Sequence, residues 1–176
     1  MCEIMPVLPP SDEELDFEHL DCSPNGEISV VDDNELSLEG NAPVIEVLGF
    51  DSNIVFFVNC RQPYLVIHFK SIDRFFSLSV TLRDSIGKDR KFEISNKRSV
   101  IAVDKDMCKL PLEVGPGWQR VCVDLNNLVL KAFGSSFVIC SSVVINGSCR
   151  ISKLFFQKED YSDIELPSFL RVCVKA

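Results

Sequence analysis

Gly117-Trp118-Gln119-Arg120-Val121-Cys122-Val123-Asp124-Leu125 opens the stretch whose reading decides the fold; the stretch closes on Tyr161-Ser162-Asp163-Ile164-Glu165-Leu166-Pro167. Val121, Val123 and Leu125 alternate with polar residues, the period of a strand with one buried face. Residues 126–133 predict a helix of about two turns. Asn126 or Asn127 is placed to cap it, Leu130 and Phe133 to face a sheet, and Gly134 to end it. An apolar strand over 136–145 meets Asn146-Gly147, the strongest hairpin signal in the chain. Cys149-Arg150-Ile151-Ser152-Lys153-Leu154-Phe155-Phe156 is the following strand.

Upstream the pattern is the same. Glu27-Ile28-Ser29-Val30-Val31 alternates, and residues 44–48 and 54–58 are short apolar runs separated by Gly49, Asp51, Ser52 and Asn53. Residues 64–70 form the next strand. Phe76, Leu78, Val80 and Leu82 then share one face, with Ser77, Ser79, Thr81 and Arg83 on the other. Residues 84–89 read as a hairpin loop, 90–94 as the returning strand, and 100–103 and 107–112 as further runs. Nine or ten short strands, one short helix and regular turns predict an all-β, antiparallel β-sandwich or jelly roll with one or two short helices.

Composition fits a single domain: 176 residues can bury one core, and 46% apolar against 25% charged is ordinary for a globular protein. Charge divides the chain. Residues 1–60 hold 14 of the 26 acids and no Lys or Arg, for −14; residues 61–176 hold all 18 cations and the other 12 acids, for +6. Residues 1–22, with Ser11-Asp12-Glu13-Glu14 and Asp16-Phe17-Glu18, read as a flexible acidic arm in which Leu15, Phe17 and Leu20 are potential docking anchors. Residues 23–176 form the single sandwich domain. The N-terminus has no basic segment followed by an apolar one, and the apolar runs are too short to span a bilayer, so an intracellular protein without membrane contact is expected.

Chemistry-bearing motifs are sparse. The eight cysteines show no Cys-x-x-Cys spacing, and Cys122, Cys140, Cys149 and Cys173 lie in apolar strand patterns, so buried free thiols are expected. His19 and His68 are not near a cysteine pair at zinc-ligand spacing. The acid pairs Asp32-Asp33, Asp104 with Asp106, and Glu159-Asp160 sit in turn contexts; Asp104, Asp106 and Asp124 offer calcium oxygens without a ligand loop. No nucleophile elbow or phosphate loop occurs. No catalysis, metal, cofactor or small-molecule substrate is therefore expected. Basic residues concentrate over 83–98, and Lys88, Arg90, Lys91, Lys97 and Arg98 are the candidate contacts for an acidic partner. With Phe92 the one aromatic among them, nucleic acid is not the expected partner.

The chain resembles the cilia- and flagella-associated protein 20 family, also known as the Bug-type or CFA domain. The resemblance rests on Asn25-Gly26-x-Ile28, Asp32-Asp33-Asn34-Glu35-Leu36, Arg74-Phe75-Phe76-Ser77-Leu78-x-Val80 and Arg90-Lys91-Phe92-x-Ile94-Ser95-Asn96. It continues through Gly117-Trp118-Gln119 with Val121, Val123 and Leu125, then Lys131-Ala132-Phe133-Gly134, Cys149-Arg150-Ile151-x-Lys153-x-Phe155-Phe156, and Tyr161-Ser162-x-x-Glu165-Leu166-Pro167. It covers about residues 23–174; the arm does not resemble the family's opening. What it implies is a sandwich like those of carbohydrate-binding modules and a non-enzymatic structural role. The implied place is the cytoskeleton of the cilium or flagellum, on axonemal doublet microtubules at the inner junction where the B-tubule closes onto the A-tubule. The implied partners are tubulin and other junction proteins, as a divergent ortholog or a paralog. Two alternatives remain: a microtubule-associated paralog at the centriole or basal body, and a carbohydrate-binding module, for which Trp118, Tyr64 and Tyr161 are the available large aromatics.

Overall fold

The computed structural model describes residues 3–8, 21–22, 27–31, 33, 44–49, 52–72, 75–97 and 100–171, without the side chains of 21, 22 and 27. Two sheets face each other. The first has the order β11 (Trp118–Asp124), β6 (Tyr64–Ser71), β13 (Cys149–Gln157), β4 (Val44–Leu48) and β3 (Glu27–Val31), and β1 (Ile4–Leu8) also joins β13. The second runs β2 (Asp21–Cys22), β5 (Asn53–Cys60), β12 (Phe137–Asn146), β7 (Ser77–Asp84), β8 (Asp89–Ser95), β10 (Met107–Pro111) and β9 (Ala102–Asp104). The expected β-sandwich is the observed architecture. Its pairings are antiparallel except β8 with β10, which are parallel because the chain first passes out to β9 and then turns back.

Alternation builds the core. Leu65, Ile67 and Phe69 of β6 and Ile151, Leu154 and Phe156 of β13 face Leu78, Val80 and Leu82 of β7, Phe92 of β8, and Val143 and Ile145 of β12. Phe69 and Phe76 stack across the interior at 4.9 Å. Each such side chain contributes about 1.5–3 kcal/mol of transfer free energy. β13 is buried on both faces although Arg150, Ser152, Lys153 and Gln157 interrupt its apolar residues; its place between β6 on one edge and β4 and β1 on the other covers it. Its outward side, with Val66 and Phe155, is covered by Leu166 and Leu170, joined by Ile4, Cys122, Tyr161 and Phe169.

The long β13 takes two neighbours on one edge. Cys149–Ile151 pair with β4, and Leu154–Gln157 pair with β1. The arm expected to be flexible over 1–22 is therefore, at Ile4–Leu8, an ordered strand with Leu8 fully buried. The run Ile4-Met5-Pro6-Val7-Leu8 is apolar and precedes the acidic run, and the free edge of β13 gives its backbone groups partners. Residues 9–20, with Leu15, Phe17 and Leu20, all three anchors of that reading, lie outside the described residues.

The helix α1 (Leu125–Phe133) is close to its expected range, with Gly134 as its left-handed end at φ 71°. Two expectations are corrected. The N-cap is Asp124, whose carboxylate accepts from the Asn127 N–H, two residues before the nearer predicted cap, Asn126. The buried helix face is Leu125 and Val129, with Phe133 packed against the core, while Leu130 is exposed. Leu125, Val129 and Phe133 are spaced i, i+4, i+8 on one face, and Leu130, about 100° round the helix from Val129, turns outward.

Asn146-Gly147 is not a hairpin. β12 and β13 lie in different sheets, and residues 147–148 carry the chain between them. The glycine is required for closeness: a Cβ there would sit 2.7 Å from the carbonyl oxygens of both Val47 and Gly49. Ser148 secures the crossing by accepting from Gly49 N–H at its hydroxyl, 3.0 Å, and by donating its own N–H to Phe75 O, 2.8 Å.

Candidate interaction surface

The two outward faces differ. That of the first sheet is closed by the C-terminal segment and by charge pairs. Arg150 donates to Glu46 at 2.7 Å and to the buried Asp33 at 2.9 Å, and Lys70 lies 3.5 Å from the same Asp33 carboxylate. These ties pin residue 33 to the sheet. In the next row a bulge between Ile151 and Lys153 turns Ser152 and Lys153 toward His68, which is fully buried and pairs its Nδ1 with Ser152 Oγ. Burial, followed by the charges of Lys153 and Arg120, depresses the His68 pKa to about 3, so the ring is neutral at physiological pH. Trp118 lies against that ring, centroids 4.8 Å apart. It is only partly exposed and is no open platform for a sugar ring.

The outward face of the second sheet is open. The registers align Phe57, Ser142, Thr81, Lys91 and Met107 in one row, and Val55, Val144, Ser79, Glu93 and Lys109 in the next. Phe57 is 75% exposed. At one end the β7–β8 loop presents Lys88, while Arg83 pairs with Asp89 at 3.3 Å on the surface. The face carries the hydroxyls of Ser79, Thr81 and Ser142 and the cations Lys91 and Lys109.

Of the predicted contact residues, Lys88, Lys91 and Lys97 are exposed, with Lys97 Nζ 5.1 Å from the centre of the Phe75 ring. Arg98 lies outside the described residues. Arg90 is a correction: it is buried and points into the sandwich. It pairs with Leu82 in register and shares its face with Phe92 and Ile94, so the period-2 signal in the sequence already assigned it inward. Its guanidinium donates to Asp84 at 2.8 Å, to Asp106 at 2.7 Å and to Lys105 O at 3.2 Å, and stacks 4.3 Å from the Phe133 ring. Asp84 also accepts from Ser135 Oγ at 2.7 Å and from the N–H groups of Ile86 and Lys88. Burial pushes the Asp84 carboxyl up, but these donors outweigh it and hold the pKa at about 2. The knot joins the hairpin loop, the β9–β10 turn and the end of α1.

The remaining motif residues are framework. Cys149 is fully buried and burial drives its thiol far above the usual range; burial likewise pushes Cys140 up to about 12. Both are free thiols, as are Cys60, Cys108 and Cys122. Tyr161 accepts from Glu3 N–H at its hydroxyl and from Arg120 at its carbonyl, tying the C-terminal segment to β1 and β11. The Ser162 N–H and hydroxyl both donate to Glu165 and lower its pKa, and Pro167 precedes the turn Ser168–Leu170. Gly117 takes φ 77° before β11. Asn25 and Gly26 lie outside the described residues. Among the described residues no three His, Cys, Asp or Glu side chains gather as metal ligands; Asp106 is engaged by Arg90 and Asp124 by α1. A cleft of about 820 Å³ at one end of the sandwich, lined by Lys70, Phe75, Asn96, Pro116, Gly117 and Ser148, brings no acid–base pair together.

Fold and surface together define a β-sandwich domain whose distinguishing feature is an open sheet face. The chain belongs to the CFA20 domain family, whose model matches residues 8–174, starting at the end of β1. It is 25% identical over 154 residues to cilia- and flagella-associated protein 20 of Chlamydomonas reinhardtii, covering 82% of this chain and 78% of that one. The proteins of the same name from Paramecium tetraurelia and Caenorhabditis elegans are each 26% identical, covering 81% and 82% of this chain and 78% and 73% of theirs. A solved structure, the enzymatically active domain of bacteriophage CBA120 tailspike protein 4, aligns at TM-score 0.42 and 11% identity over 86% of this chain and 21% of that one, a likeness too slight to bear on function.

Proposed function

We propose that this chain is a non-enzymatic structural protein of ciliary and flagellar axonemes. It sits on doublet microtubules at the inner junction between B- and A-tubule, in contact with tubulin and neighbouring junction proteins. Membership of a family whose relatives are named cilia- and flagella-associated supports the ciliary part. The observation that carries the contact is the open face of the second sheet. Its exposed cations Lys88 and Lys91, with Lys97 beyond the end of β8, lie in residues 61–176, which sum to +6, and suit an acidic tubulin surface. Arg90 has no part in that contact; its charge is spent internally.

Because exposed charges are screened beyond about 8 Å at physiological ionic strength, binding falls as salt rises. Microtubule co-sedimentation at low and high salt tests this. The wild type pellets with microtubules at low salt, and Lys88→Glu with Lys91→Glu weakens it several-fold. No pelleting at low salt overturns the tubulin contact, and an unchanged double variant removes this face from it. A tagged copy absent from the axoneme of a ciliated cell overturns the ciliary reading itself.

A further inference from the structure

Strand β5 carries an apolar run that its own sheet does not use up. Ile54-Val55-Phe56-Phe57-Val58 is apolar at both parities, the composition of a strand covered on both faces. Only one of its faces is covered within the chain. Ile54, Phe56 and Val58 are buried in the core, whereas Val55 is partly exposed and Phe57 is 75% exposed. The other outward positions of this strand, 53 and 59, are both asparagine, as an open face calls for. Phe57 is also no isolated surface side chain. Val55 lies in register beside Val144, itself partly exposed, so an apolar patch spans β5 and β12.

The same face states what fits it. Ser142 and Thr81 follow Phe57 in its row, and Lys91 comes next, three strand spacings or about 14 Å away. Lys109 stands beyond it in the neighbouring row, beside Glu93, and Lys88 in the adjoining loop. Lys88, Lys91 and Lys109 make no ion pair among the described residues. The face thus passes from apolar through hydroxyl to cationic. Surface cations speed encounter with an acidic partner and are screened by salt, whereas a desolvated aromatic side chain slows release. We infer that Phe57 is the apolar anchor of the contact proposed above, seated in an apolar recess of an acidic tubulin surface whose carboxylates meet Lys88 and Lys91. This rests on the reading that the open face binds tubulin, and adds to it a residue that charge alone does not call for.

Binding of the full chain to immobilised, stabilised microtubules, followed by interferometry at several salt concentrations, tests it. Phe57→Ala is expected to leave at least about tenfold faster, with its association rate and salt dependence little changed. Phe57→Leu, which keeps an apolar side chain, retains most of the binding. Phe57→Lys separates the two contributions: it adds a cation, so a face acting by charge alone binds more tightly, whereas loss of an anchor weakens binding. Weaker binding is expected. Far-UV circular dichroism and urea midpoints check that each variant folds as the wild type does. Unchanged release in Phe57→Ala, or tighter binding by Phe57→Lys, overturns the anchor and leaves the tubulin contact standing. Self-association of the wild type that Phe57→Ala abolishes makes a second copy the occupant and also overturns it. No binding by the wild type at low salt overturns the tubulin contact and the anchor together.

Discussion

Replacing Arg90 with alanine leaves Asp84 buried, its side chain without exposure, and stripped of its cation. Ser135 Oγ and two backbone N–H groups remain as donors, so the carboxylate stays hydrogen-bonded but loses its compensating charge. Removing one partner of a buried pair costs about 3–5 kcal/mol, more than the pair itself is worth against an apolar substitute. The guanidinium over Phe133 adds stacking of about 1–2 kcal/mol at a desolvated site, part of which the first figure already contains. A loss of about 4 kcal/mol, with a urea slope of about 2 kcal/mol/M, moves the urea midpoint down by about 2 M. Lys91→Ala, one residue away and exposed, is the control and shifts stability by less than about 0.5 kcal/mol. Acid titration gives a second readout. Asp84 has its pKa lowered from 3.8 to about 2, so it contributes stability that is present above pH 4 and lost as pH falls toward 2. That span corresponds to roughly 2–3 kcal/mol, and Arg90→Ala removes most of this acid limb. Equal urea midpoints for the two variants, or an unchanged acid limb, would refute the account of Arg90 as an internal residue.

Further outcomes follow from the same geometry. Gly147→Ala forces a Cβ against two backbone oxygens and lowers the thermal midpoint by an amount worth at least about 1–3 kcal/mol; a melt matching wild type would mean that the crossing has room. His68, its pKa lowered from 6.5 to about 3, stays neutral between pH 5 and 8, so its ring resonances do not titrate there. Its burial favours folding above about pH 6.5, and that contribution is lost by about 1.4 kcal/mol per pH unit on the way down to 3; a midpoint near 6.5 by NMR would contradict this. Cys140 and Cys149, with thiols raised by burial, resist a thiol reagent at neutral pH until the chain unfolds, and rapid modification of either in the folded protein would count against the core as described.

Much of the fold is legible in local pattern. Alternation of Leu78, Val80 and Leu82 places β7 on the core. Gly134 ends α1 where its φ requires a glycine. The candidate surface is less legible. Lys91 and Lys88 face solvent as their positions imply, but Arg90 does not, and its alternation with Phe92 and Ile94 carries that information only for a reader who lets period outweigh charge. The open face itself has no sequence signature. Ser79, Thr81 and Ser142 are ordinary outward residues until registers align them in one plane.

By itself the sequence determined the period of the main strands, the sandwich class, and the linked motifs that mark the family, since each depends on neighbours a few residues apart. Only the tertiary structure decided which sheet each strand joins. Asn146-Gly147 says that the chain turns, and whether β12 and β13 pair or part depends on the backbone at Val47 and Gly49, far away in the chain. The same holds for Ile4–Leu8, which is a strand because β13 leaves an edge open to it, and for Arg90, whose acids Asp84 and Asp106 converge from two segments. Alternation is local and can be read along the chain, whereas partner choice depends on contacts between distant segments, which exist only once the core has closed.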